Sequence, residues 1–84
     1  MRGHYEPLPA PDLELVLHLR LRVREMAPHR RGRWAWDLRD SRDGSWFESM
    51  WEFDSAERAR RSGLARLDQL RRAALAQGAT DRAA

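Results

Sequence analysis

The chain has 84 residues, 42% of them apolar and 35% charged, and every one of its sixteen Lys-or-Arg positions is arginine. That size supports one domain with a single core and little room for a deep pocket. Without cysteine there is no disulfide or thiolate metal site, and a net charge of +3 with a pI near 10.9 points to an acidic partner such as nucleic acid.

The charge is polarised. Residues 1–33 carry +3, residues 34–54 carry −4 and residues 55–84 carry +4. No signal-like apolar stretch and no run of membrane-spanning length occurs, so a cytoplasmic protein without membrane contact is expected. Residues 1–11 hold Pro7, Pro9 and Pro11 in alternation. Such a segment is extended and reads as a Pro-rich disordered tail.

From Leu13 the pattern changes. Leu13, Leu15, Leu17, Leu19, Leu21 and Val23 occupy every second position, with Glu14, Val16, His18, Arg20, Arg22 and Arg24 between them. A helix would scatter those leucines around its circumference, whereas a strand gathers them on one face. A long first strand is expected, and residues 26–32, with Pro28 and Gly32, form a loop after it. Residues 33–39 alternate again, with Trp34, Trp36 and Leu38 on one side. Asp43-Gly44 is a strong two-residue hairpin signal, and residues 46–53 make the return strand. A turn at those two residues sets paired positions to sum to 87. Trp34 then faces Phe53, Trp36 faces Trp51 and Leu38 faces Ser49, while Arg39 faces Glu48, Asp37 faces Met50 and Ala35 faces Glu52 on the other side.

Asp54 and Glu57 have the spacing of a helix N-cap and its third helical residue. Ala56, Ala59, Gly63, Leu67, Leu70 and Ala74 then recur at steps of three and four, flanked by Leu64, and Gly78 is a natural stop. The expected domain spans residues 12–78 and belongs to the α+β class. It is a three-stranded antiparallel sheet (β-β-β-α) with one C-terminal helix packed on one face, followed by a tail over residues 79–84.

No catalytic constellation is present. His4, His18 and His29 fall in a tail, on a strand and in a loop, with no motif to orient them. No metal-ligand spacing occurs, so no enzyme activity, cofactor, metal or small-molecule substrate is expected. Arg20, Arg22 and Arg24 form a one-sided stripe about 13 Å long. Two readings fit it: a ladder of phosphate contacts, or cross-strand pairing with Asp37, Glu48 and Glu52. Trp34, Trp36 and Trp51 fall on the face that the helix must cover and read as core. Trp46 falls on the other face and reads as an exposed aromatic contact.

The run Gly32-Arg33-Trp34-Ala35-Trp36-Asp37-Leu38-Arg39-Asp40, with Phe53-Asp54-Ser55-Ala56-Glu57-Arg58-Ala59, resembles the AP2-like DNA-binding domain and the related arm-binding domain of phage-type integrases. The resemblance covers residues 32–59. It implies a three-stranded sheet backed by one helix that reads DNA with its exposed face, and it places Arg33, Asp37 and Arg39 on that side. Two functions are compatible with the sequence. One is a protein-interaction module, self-associating as a homodimer through the unpaired overhang of the long first strand near Leu13–Leu17. The other is a nucleic-acid-binding module using Arg20, Arg22, Arg24, Arg33, Arg39 and Trp46, together with helix arginines.

Overall fold

Leucine alternation governs only the second half of the first predicted strand. In the computed structural model, which describes residues 11–83, the elements are α1 (Leu13–His18), β1 (Leu19–Met26), β2 (Arg30–Asp40), β3 (Trp46–Phe53) and α2 (Ala56–Ala83). The expected tail over residues 1–11 lies outside the described residues, except for Pro11. Residues 13–18, expected as strand, are helical for two reasons. The neighbouring strand has run out, because Leu19 pairs with Asp40 and the chain turns at Ser41. An extended segment there would leave its backbone groups unpaired, whereas a helical turn satisfies them internally. Asp12 also caps that turn, accepting from the Leu15 N–H at 2.8 Å. The strand overhang that would have invited a second chain is therefore absent. Instead α1 delivers Val16 to the core, fully buried, with Leu13 and Leu15 packed beside it.

The three strands form an antiparallel sheet in the order β1-β2-β3, and α2 lies against one face. β1 and β2 pair in uniform register from Leu19↔Asp40 to Glu25↔Trp34. The expected loop over residues 26–32 is shorter than that, because Met26 and Arg30 already pair and residues 31–33 bulge out of β2. Gly32 sits in that bulge at φ +76° and donates its N–H to the Glu25 carboxylate.

The β2–β3 register departs from a constant sum. Trp34 faces Phe53 as expected, but Trp36 faces Met50, Asp37 faces Ser49, Leu38 faces Glu48 and Arg39 faces Trp46. The turn is longer than two residues. Asp40 donates its N–H to the Ser45 carbonyl and accepts from Gly44, whose φ of +77° closes the loop. Two irregularities in β3 then restore the register, one near Phe47 and one where Glu52 takes a φ of +73°. Each extra residue reverses which face the following side chains meet.

The core is built from Val16, Leu19, Trp36, Leu38, Ala59, Leu67, Leu70 and Ala74, with Trp34, Phe47 and Phe53 packed against it. Trp36 is the largest fully buried side chain, and its indole N–H donates to Ser62 Oγ at 3.0 Å. The inward stripe of α2 follows the expected steps, although Ala56 is half-buried and Leu64 is exposed. At Gly63 the helix comes close to the sheet: a Cβ there would lie 3.1 Å from Trp36 Cγ. The cap is displaced by one residue from the expected Asp54. Ser55 Oγ accepts from the Arg58 N–H, while Asp54 pairs with Arg58 and Glu57 with Arg61. Gly78 does not end the helix, which continues to Ala83.

Candidate functional site

The sheet face away from α2 carries the residues between the core positions. Alternation along β1 turns Arg20, Arg22 and Arg24 outward, since Leu19, Leu21 and Val23 belong to or pack on the core. The pairing then builds cross-strand rows. Arg20 stands opposite Arg39, and Arg39 opposite Trp46. Arg22 stands opposite Asp37, and Asp37 opposite Ser49. Arg24 stands opposite Ala35.

The β3 irregularities decide the electrostatics of this face. The cross-strand pairing reading of the arginine stripe needs Glu48 and Glu52 on this face. Glu48 instead faces α2, where Arg66 Nε donates to it at 3.0 Å. Glu52 pairs with Arg30 at 3.0 Å, at the far end of the sheet. Asp37 is left as the one carboxylate at the paired outer positions. It is 2% exposed and lies 3.2 Å from Arg24 Nε and 3.5 Å from an Arg22 terminal nitrogen. Four guanidiniums (Arg20, Arg22, Arg24 and Arg39) against one carboxylate leave a local charge of +3.

The Arg20–Arg39 row has an unfavourable arrangement. Like charges directly opposite one another destabilise a sheet pair, and among the described residues no carboxylate pairs with either guanidinium. Arg20 donates to the Leu17 and Leu19 carbonyls, and Arg39 to the Gly44 carbonyl. Arg39 Nε is buried without a hydrogen-bond partner among the described residues. Arg33 is exposed in the β2 bulge, beyond the regular rows.

The aromatic border is larger than expected. Trp46 is 59% exposed, as the sequence suggests, and its indole N–H donates to Ser49 Oγ, which lays the ring along the strand. Trp51, expected in the core, is equally exposed. Its neighbour Met50 reaches Ser62 of α2 through its sulfur, so alternation turns Trp51 to the outer face. The shifted register replaces Trp51 with Met50 opposite Trp36. The positive φ at Glu52 that accompanies this shift carries no glycine signal in the sequence.

At the turn, Asp40 and Arg42 form the tightest ion pair. Arg42 donates through its backbone N–H and its guanidinium, the latter at 2.8 Å, and also approaches Glu14 of α1. These hydrogen bonds hold the Asp40 carboxyl at about 2, below its ordinary value. Hydrogen bonds from Ser45 lower Asp43 likewise. His18 lies at the end of α1 rather than on a strand, its Nδ1 2.8 Å from the Glu14 carbonyl. Among the described residues no three His, Cys, Asp or Glu side chains gather as a metal site requires, and no helix is long and apolar enough to cross a membrane.

Compared with protein-family models, with curated proteins and with solved structures, the chain matches none.

Proposed function

We propose that the chain is a non-catalytic nucleic-acid-binding module that lays its outer sheet face against phosphates. The observation that carries this reading is the set of outward guanidiniums of Arg20, Arg22, Arg24 and Arg39, opposed at the paired outer positions of the described residues by the buried Asp37 alone. Arginine donates in a planar fork that suits phosphate oxygens. A face held positive by the strand framework favours a polyanion without needing to refold. Two opposed guanidiniums without a carboxylate cost stability in the free protein, and a bound phosphate would offset that repulsion. The resemblance of residues 32–59 to domains that read DNA with the exposed side of a three-stranded sheet supports the same face.

The test is a binding titration with labelled nucleic acid across a range of salt. Binding that is micromolar or tighter and weakens steeply with salt is expected, since each neutralised phosphate releases a counterion. Replacing Arg22 and Arg24 together by Gln should weaken binding and flatten the salt dependence. No detectable binding at about 50 mM salt overturns the reading.

A further inference from the structure

We infer that the ligand of this face is a single-stranded nucleic acid, its bases stacked on Trp46 and Trp51 and its backbone following the β1 arginines; this rests on the nucleic-acid reading above. Both indoles lie on the outer face of β3 and are more than half exposed. Arg20, Arg22 and Arg24 lie along β1, on the other side of β2. The two rows are separated by two strand spacings, roughly 10 Å. That is comparable to the reach of a nucleotide from phosphate to base.

The face is therefore divided lengthwise, with guanidiniums along one margin and aromatic rings along the other. A duplex has its base faces stacked on one another and offers only phosphates and base edges outside. Such a ligand would use the arginine margin and leave the indoles idle. A single strand has free base faces, and aromatic side chains on a basic surface are how such strands are held without sequence preference. The Trp46 hydrogen bond to Ser49 fixes that ring along the strand, so little conformational freedom is lost when a base stacks on it. Among the paired outer positions Ser49 is the one hydroxyl, and it is engaged by Trp46. The outer guanidiniums can donate to phosphate and to a ribose 2′-hydroxyl alike, so the face holds DNA and RNA single strands without telling them apart.

The experiment uses the full chain and oligomers of about 15 nucleotides, within the span that small single-strand binders cover. Oligothymidylate, oligouridylate and a duplex of the same length are titrated by anisotropy and by tryptophan fluorescence. Oligothymidylate should bind at least tenfold tighter than the duplex and quench fluorescence. Trp46→Ala and Trp51→Ala should each weaken it by about tenfold without changing the salt slope, and Trp51→Phe should restore most of the loss. Both tryptophans lie outside the core, so unchanged circular dichroism separates loss of stacking from loss of fold.

Equal affinity for duplex and single strand, or alanine variants that bind like the parent, overturns the inference while the nucleic-acid reading stands. Oligouridylate should bind like oligothymidylate, and a tenfold preference for either overturns recognition through base faces and phosphates alone. Failure of all three oligomers to bind overturns both readings.

Discussion

Gly63 is the position where helix propensity and packing oppose each other, and the structure says which prevails. In a helix interior, replacing Gly by Ala stabilises by about 1 kcal/mol. A Cβ at Gly63, however, would lie 2.4 Å from Leu21 Cδ1, 3.2 Å from Leu21 Cδ2 and 3.1 Å from Trp36 Cγ, all inside the contact distance of carbon atoms. Leu21 is half-buried and borders a shallow groove with Val23, Arg60 and Leu64, so its end can swing away at a cost of about 1 kcal/mol. Trp36 is fully buried and tied to Ser62, so it can yield only by shifting the helix. Overpacking of this kind costs roughly 1–3 kcal/mol. Gly63→Ala should therefore destabilise the protein by about 1 kcal/mol net, and Gly63→Val by several. In a Leu21→Ala background both Leu21 contacts disappear and the Trp36 contact remains, so Gly63→Ala should cost about 1 kcal/mol less than in the parent. Urea unfolding followed by tryptophan fluorescence, run on the four proteins of that cycle, measures the coupling. A gain of the full 1 kcal/mol in the single variant, with no coupling to Leu21, would refute the close approach of α2 to the sheet.

Trp36→Ala should remove about 3–5 kcal/mol, much of the roughly 4–11 kcal/mol expected for a domain of this size, whereas Trp51→Ser should stay within about 0.5 kcal/mol; thermal melts of the two variants check the contrast. Asp40 contributes stability that is complete above the ordinary carboxylate pKa near 4 and is lost as pH falls towards about 2. Asp40→Asn should therefore flatten the dependence of the urea midpoint on pH across that window. Asp37→Asn removes the one carboxylate among the paired outer positions, and should tighten nucleic-acid binding and steepen its salt dependence, measured by the same anisotropy titration. A double-mutant cycle on Glu48 and Arg66, both partly exposed, should give a coupling of about 0.5–1 kcal/mol that shrinks with added salt.

Period-two patterning and helical spacing locate three strands and a C-terminal helix, and they place Trp36, Leu38, Ala59, Gly63, Leu67, Leu70 and Ala74 inside. Periodicity could not say where β1 begins, because strand length is set by the partner, and β2 ends at Asp40. Asp12 ahead of Leu13, Glu14 and Leu15 was the local signal for a capped helical turn. The hairpin register differs from the two-residue expectation because Asp43-Gly44 also fits longer loops with Gly in the left-handed region. The irregularity near Phe47 then shifts the pairing by a single residue, which turns Glu48 inward and Trp51 outward. The arginine stripe was legible, but its lack of neutralising partners was not, since that depends on two irregularities in the edge strand.

The short helix α1 also has a bearing on how the chain behaves when it is crowded. Leu13 to Val23 is an uninterrupted alternation of the sort that pairs readily with copies of itself. In the native fold the first half of that segment is wound up and anchored by Val16, and by the Ser41 N–H bonded to the His18 carbonyl. Winding these residues into α1 keeps them from lengthening the open edge of β1, and fraying of the helix is the opening through which fibril-like assembly would start. Asp12→Ala, which loosens the cap, should shorten the lag before aggregation far more than it lowers the melting temperature.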